Sequence, residues 1–371
     1  MKKIGLTLRI AFLVSALVVF ILVAVVVIIG LKVDTSINVL VETENTQIAQ
    51  ARGAELGRLL EKLRWQLEMV AIRDQLKTGD RATVERVILG LEGRISPEVV
   101  GSFFAWPSGE AFTSTGAVTN VADRDYFKAV MKDGKDTAIG SAVISKTLGL
   151  PIVVVAKAVK APDGAIRGLV AVQFKLSTLS EIAGAIKVGT TGYGWIIDGT
   201  GLIIAHPNAE AVMKLQTTDA DKDGYKGLNG MAAKMLKEPL GHSIYSRPDG
   251  VAMSSYWAAV PSSPGWILAV SIEHREEAAT VNSVLFLLGL ITVAGLILSI
   301  VLAILLARSI VKPIRLVVSA MDNLSEGDLV LGGLDHEAVE RLVARGDELG
   351  VLGRSMRSLR LALTDIVREI T

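Results

Sequence analysis

The chain has 371 residues, and 39 Lys and Arg stand against 38 Asp and Glu, a formal net charge of +1 that exerts no global pull toward nucleic acid. Half of the residues are hydrophobic and none is cysteine, which excludes a disulfide framework and fits a bacterial periplasm. No P-loop, nucleophile elbow or recognisable pair of catalytic carboxylates occurs, so neither an enzyme nor a cofactor is expected.

Two apolar blocks divide the chain. Residues 10–31, "IAFLVSALVVFILVAVVVIIGL", hold 22 positions without a charge, and residues 278–307 hold 30 more. A helix needs about 20 apolar residues to cross the hydrocarbon core, so both blocks qualify, the second over 284–307. A secretory signal core is shorter, about 7–15 residues, and ends at a small-residue cleavage site. Lys32-Val33-Asp34 follows the first block instead, so it reads as a retained anchor. Lys2, Lys3 and Arg9 precede the first block, and Arg308, Lys312 and Arg315 follow the second. The opposite flanks carry Asp34, Glu42, Glu44, Glu273, Glu276 and Glu277. Positive flanks stay in the cytoplasm. Residues 1–9 and the C-terminal segment are therefore expected inside and 34–280 outside, with Ser254 outside and Ser319 inside.

The outer segment opens with an expected helix over 34–76. Leu56, Leu60, Leu63, Leu67 and Val70 recur at spacings of four and three, a seam that suits the domain's own core or a second copy of the chain. After Asp80 the pattern changes to short strands and tight turns. "SFFAW-PSGE-AFTST" (102–115) reads as strand, turn, strand, and "PIVVVAKAV-KAPDG-AIRGLVAVQF" (151–174) as a hairpin with Pro-Asp-Gly turn chemistry. A helix follows in "LSTLSEIAGAI". The order then recurs: "GYGWIID-GTG-LIIAH" (192–206), a helical stretch near 225–237, and the hairpin "VAMSSYWAAV-PSSPG-WILAVSIE" (251–273). Two copies of one α+β plan follow a long helix.

Behind the second block, Ile310, Ile314, Val317, Met321 and Leu324 step by four and three. So do Leu352, Met356, Leu359, Leu363, Ile366 and Ile370. Neither helix buries such a stripe alone, and two chains supply four helices, so a parallel four-helix bundle in a homodimer is expected.

Several local patterns have plainer explanations. "DADKDG" (219–224) imitates half of an EF-hand loop, but Gly230 stands where the bidentate carboxylate belongs, so it reads as a polar turn. His206, His242, His274 and His336 lie at no metal-ligand spacing. His206 precedes Pro207 and reads as structural. Trp195 reads as core, whereas Trp106, just before a turn, suits core or pocket wall. The strongest binding signal is "DRDYF" (123–127). Arg124 offers a planar fork for a carboxylate, and Tyr126 offers a hydroxyl and an aromatic face. The alternative is that Arg124 pairs with Asp123 or Asp125 on the surface.

"VADRDYFKAV", "GLPIVVVAKAV…DGAIRGLVAVQFKLSTL" and "GTTGYGWIIDGTGLIIAHPN" resemble a double Cache sensor domain over most of 34–280. Pro313, "EGDL" (326–329) and "DELG" (347–350) resemble a HAMP linker over 308–371, with a connector several residues longer than is usual. The resemblance implies two PAS-like modules, antiparallel sheets with flanking helices, a membrane-distal one near 77–180 and a proximal one near 187–275. It implies a ligand pocket in the distal module formed by Arg124 and its aromatic neighbours Tyr126 and Phe127, with Asp125 beside them. Amino-acid-binding members carry Trp-Tyr where this chain has Tyr126-Phe127. They also carry an aspartate for the ligand amine where this chain has Gln173.

The expectation is thus an α+β receptor with two membrane spans, of the methyl-accepting chemotaxis type. It senses an amino acid or small organic acid in the periplasm and signals through HAMP. Its chemotaxis kinase and coupling protein would be reached through a signalling domain not present here, because the chain stops at Thr371. The alternative is the sensor half of a histidine kinase or diguanylate cyclase, since the same input modules serve several outputs. A transporter is disfavoured, because neither span carries an intramembrane charge.

Overall fold

A computed structural model describes residues 6–330 and 333–370. Residues 36–281 form one compact unit and the flanking segments another. Lys2, Lys3 and Thr371 lie outside the described residues, as do the side chains of Arg9, Asp34 and Ile370.

Helix α1 runs unbroken from Leu6 to Ala71, where the sequence suggested a span followed by a separate helix. Lys32-Val33-Asp34-Thr35 contains neither glycine nor proline, so nothing interrupts the backbone ladder there. In the 36–281 unit the leucine seam is spent on the chain's own core. Leu56, Leu60, Leu63 and Leu67 are at most 1% exposed, and they pack with apolar residues of both β-sheets. Each buried leucine contributes about 1.5–3 kcal/mol. Gly57 lets the helix approach the loop at Pro261, whose carbonyl oxygen lies 2.9 Å from where a Cβ would stand.

Short helices come next: α2 (Asp74–Lys77), at the end of the stretch expected as one helix, and α3 (Arg81–Leu89), after Asp80, where the sequence suggested short strands. The Asp80 carboxylate caps α3 by accepting from the Thr83 amide at 2.9 Å, and Val84 and Ile88 are buried on one face. The first sheet contains β1 (Val99–Ala105), β2 (Glu110–Thr113), β3 (Val118–Asn120), β4 (Thr137–Ile139), β5 (Val143–Ile144), β6 (Pro151–Lys160) and β7 (Ile166–Lys175). Its order is β3-β2-β1-β7-β6-β4, with β5 also on β6, and every pairing is antiparallel. Helix α4 (Asp125–Met131) interrupts the strand sequence between β3 and β4.

The long strands of this sheet are buried on both faces, so they read as continuous apolar runs. Side-chain parity still sorts them. Val153, Val155, Val170, Val172 and Phe174 join the core under α1. Ile152, Val154, Leu169 and Ala171 join a second cluster with Phe103, Tyr126 and Phe127.

Helix α5 (Leu176–Gly184) leads to the second sheet: β8 (Tyr193–Ile197), β9 (Ile203–Ala205), β10 (Leu240–Ser246), β11 (Ala252–Ala259) and β12 (Ile267–Glu273). Its order is β10-β11-β12-β8-β9, also antiparallel, with α6 (Leu228–Met235) covering one face. Helix α7 (His274–Leu306) follows β12 directly.

In the other unit, α7 leads through a widened turn at Ala307–Val311 into α8 (Lys312–Ser325), then α9 (His336–Val343) and α10 (Glu348–Ile370). The helical run from His274 to Ser325 has a window of mean hydropathy 2.9, long and apolar enough to cross a membrane. It is the one such run among the described residues. In α1 the described apolar stretch is shorter, Ala16–Val25.

Candidate ligand-binding site

The α4 side of the first sheet carries a pocket of about 340 Å³, counted out to solvent. Strand parity builds its floor. Phe103, Thr113, Ile152, Val154 and Gln173 are the residues of β1, β2, β6 and β7 that point away from α1. The walls come from two loops. One runs from β3 into α4 and supplies Val121, Arg124 and Tyr126. The other follows β5 and supplies Ser145, Lys146 and Thr147.

The two loops are tied together across the mouth. Arg124 donates from Nη2 to the Ile144 carbonyl at 3.1 Å. Lys146 donates to the Asn120 carbonyl at 2.9 Å and pairs with Asp123 at 2.8 Å. The Lys146 ammonium holds the Asp123 carboxyl below its ordinary value. The surface alternative for Arg124 is not what forms: none of the ion pairs among the described residues involves it. Asp123 is taken by Lys146, and Asp125 accepts from the amides of Tyr126 and Ser141, each at 2.7 Å.

Asp125 thus sits at the exposed start of α4 as a positioning group and does not line the pocket. Tyr126 does line it. Its ring stands 6.1 Å from Phe103, and burial pushes its hydroxyl well above the usual value, so it remains a protonated donor. Gly140 makes room for this arrangement, because a Cβ there would stand 2.7 Å from Tyr126 Cδ1.

Two expected wall residues lie elsewhere. Phe127, turned about 100° from Tyr126 along α4, does not line the pocket and is 3% exposed within the buried cluster. Trp106 belongs to the opposite sheet face by strand parity. It packs edge-on to Phe104 at 5.2 Å, with the Arg81 guanidinium 5.1 Å above its ring. Gln173 is buried in the floor, and its Oε1 accepts from the Ser145 hydroxyl at 2.8 Å.

The site has two cations, Arg124 and Lys146, several hydroxyls, one amide and no carboxylate among its lining residues. Such a set stabilises an anionic group and offers no counter-charge to an ammonium. Lys146, Ser145 and the threonines escaped the sequence reading. "SAVISKT" carries no periodic signal, and only the fold brings it opposite "DRDYF".

Two other residues singled out from sequence, Trp195 and His206, lie in the second module and line a cleft there. Trp195 is buried and donates to Ser271 at 2.8 Å. His206 accepts from the Asn208 amide at 2.9 Å, and burial lowers its pKa to about 4, so it is neutral at pH 7. In "DADKDG" Asp219 pairs with Lys222.

The chain thus folds as two antiparallel modules on one long helix, the first holding a small polar pocket. The Cache domain model dCache_1 matches residues 32–281, and the HAMP domain model matches 305–365. The chain belongs to the Cache domain family and carries a HAMP domain. It is 26% identical to the methyl-accepting chemotaxis protein McpA of Bacillus subtilis over 251 residues, 68% of this chain and 34% of that protein. It is 25% identical to TlpA of the same organism over 244 residues, 66% of this chain and 33% of that protein. The chain thus spans about a third of the length of the curated relatives it matches.

Among solved structures, the ligand-binding domain of the Pseudomonas fluorescens chemoreceptor CtaA, in complex with L-isoleucine, superposes with a TM-score of 0.54 at 16% identity. That match covers 66% of this chain and 98% of that one. The extracellular domain of the histidine-kinase candidate mmHK1S-Z3 superposes with a TM-score of 0.55 at 15% identity, with the same coverage. These superpositions show a shared fold.

Proposed function

We propose that this chain is the sensing and transmitting part of a methyl-accepting chemoreceptor, and that the pocket of the first module binds a small carboxylate ligand from the periplasm. The observation that carries the reading is Arg124. It faces the pocket beside Tyr126 and Lys146 and takes part in none of the ion pairs among the described residues. The Arg124 fork would take the ligand carboxylate, the Tyr126 hydroxyl would add a donor, and Gln173 would hold the far end of the ligand. The ligand class is an amino acid or a small organic acid. The likeness to CtaA favours the first. The lack of a lining carboxylate, with Gln173 Oε1 already engaged by Ser145, favours the second.

In this reading the first module is the membrane-distal one, residues 10–31 and 284–307 cross the membrane, and both termini are cytoplasmic. Ligand binding would tighten the loops tied by Arg124 and Lys146, and α7 would carry the change inward. Two copies of the chain would pair through α8 and α10. Among the described residues of this unit, Val317, Ala320, Leu324, Leu342 and Met356 form the buried cluster within one copy. Leu352, Leu359 and Ile366 stay between 40% and 52% exposed on α10, an apolar stripe that a second copy would cover. Output would pass to a chemotaxis kinase and coupling protein. A kinase or cyclase output remains the rival, supported by the shared fold of mmHK1S-Z3.

Calorimetry on the 36–281 unit tests the ligand assignment, with amino acids and organic acids screened together. The expected result is one-site binding that Arg124→Ala weakens. A ligand that instead maps to the second sheet, untouched by Arg124→Ala, refutes it.

A further inference from the structure

The long connector between α8 and α10 does more than join them. Helix α9 is capped by Asp335, whose carboxylate accepts from the Glu337 and Ala338 amides at 3.1 and 3.2 Å. Its far end is held against the turn after α7, where Arg345 donates from Nη1 to the Ser309 carbonyl at 3.1 Å. Arg354 of α10 donates to the Val343 and Arg345 carbonyls at 3.0 and 2.9 Å. Two glycines permit the contact: a Cβ on Gly350 would stand 2.0 Å from the Arg345 oxygen, and one on Gly353 2.9 Å from Leu342. The placement of α9 is therefore built into the sequence.

The result is a pocket of about 1170 Å³, counted out to solvent. Arg308, Lys312 and Arg315 come from one side, Arg341 and Arg345 from the other, and Leu316, Leu334 and Leu342 supply apolar wall. Among the lining residues Asp335 is the one carboxylate against these five cations. Asp335 serves as the cap, Glu337 pairs with Arg341 at 3.2 Å, and Asp347 pairs with Arg345 at 2.6 Å. Positive charge is left over, and Arg308 and Lys312 take part in none of the ion pairs among the described residues. Immediately before the pocket, α7 leaves Phe286, Leu290 and Ile297 more than half exposed, the surface of a helix that faces hydrocarbon.

We propose that this pocket binds the phosphate of an anionic phospholipid headgroup. The ligand must carry negative charge for the arginines and apolar substance for the leucines, and must lie where α7 leaves the bilayer. A basic pocket at the cytoplasmic edge of a span meets those conditions for anionic lipid. A nucleotide fits less well, because no aromatic side chain lines the pocket to stack a base. Occupied, the pocket would fix α9 against α8 at the point where a signal leaves the membrane. The proposal rests on reading α7 as a membrane span with its end inside.

The test is native mass spectrometry of the full chain in mild detergent, titrated with short-chain phosphatidylglycerol, phosphatidylcholine or inorganic phosphate. Wild type should bind phosphatidylglycerol in preference to phosphatidylcholine. Lys312→Gln with Arg341→Gln should weaken that binding about 30-fold, two charges at about 1 kcal/mol each. The control pair Arg360→Gln with Arg368→Gln removes the same charge from α10 and should leave binding unchanged. Gly350→Ala keeps every charge but displaces α9, and it should weaken binding too. Equal losses in both charge pairs would mean diffuse surface attraction and overturn the proposal. So would full binding by Gly350→Ala, no preference for phosphatidylglycerol, or displacement of the lipid by equimolar inorganic phosphate. Loss of the lipid preference in a chain whose thiol labelling still places α8 inside would strike this proposal alone and leave the span reading standing.

Discussion

Replacing Arg124 by alanine removes the group on which the ligand assignment depends and little else. Among the described residues its side chain makes one hydrogen bond, to the Ile144 carbonyl at 3.1 Å. A single such bond contributes about 0.5–1.5 kcal/mol, and a part-exposed carbonyl can turn to water instead. At about 2–4 °C per kcal/mol for a unit of this size, Arg124→Ala should melt only a few degrees lower. The binding loss is larger. A charge-assisted contact to a carboxylate contributes about 1.5–3 kcal/mol, and solvent on one side of the half-buried Arg124 places the value toward the lower end. The expected effect is thus about 10- to 30-fold weaker binding, since about 1.4 kcal/mol is a factor of ten. Lys146→Ala should cost less, because the ammonium is already shared between Asp123 and the Asn120 carbonyl. Arg124→Lys keeps the charge but loses the fork, and should fall between wild type and alanine. Calorimetry with a ligand found in the screen, beside a melting curve of each variant, measures all of this. A folded Arg124→Ala that binds as tightly as wild type would refute the reasoning.

Gly140→Ala should lower both the melting temperature and ligand affinity, because the new methyl lies 2.7 Å from Tyr126 Cδ1 and 2.9 Å from Asp125 Oδ1. Overpacking of this kind costs about 1–3 kcal/mol, and an unchanged melting curve would contradict it. At the other end of the sensor, Glu276 of α7 accepts from the Thr190 and Thr191 hydroxyls and amides, which fasten the start of that helix to the loop before β8. The Thr191 and Thr190 bonds lower its pKa to about 2 from an ordinary 4.5. A depressed carboxylate adds stability in full above about pH 4.5 and loses it as pH falls toward 2. Melts of wild type and Glu276→Gln should therefore differ at pH 7 and converge near pH 2; a constant gap would count against the clasp. For topology, Ser254 is buried and bonded to His274, so the exposed Ser108 and Ser325 are the better positions. In intact cells an impermeant thiol reagent should label Ser108→Cys and miss Ser325→Cys. Leu359→Cys should crosslink between copies more readily than Arg360→Cys, and equal yields would argue against pairing through that face.

Local chemistry decided much of this protein. The second apolar block, the leucine seam of α1, the hairpin with its Pro-Asp-Gly turn and the repeated α+β order all follow from period and turn residues, which are properties of neighbours in sequence. Arg124, Tyr126 and Gln173, which the resemblance singled out, line one pocket. What the sequence left open is what depends on partners far along the chain. The short strands β3, β4 and β5 carry too few residues to show alternation, and α4 is a seven-residue helix without a capping side chain. Trp106 and Phe127 look like wall residues in a linear reading. Strand parity turns the first toward α1, and helical rotation turns the second into the core. Lys146 and Ser145 enter the site only because β5 pairs with β6 and brings their loop opposite "DRDYF". The seam of α1 suited its own core or a partner equally well until the two sheets closed over it and left those leucines buried within one chain. A pattern in sequence sets which faces are apolar; what covers each face is settled by contacts between segments that the linear order does not bring together.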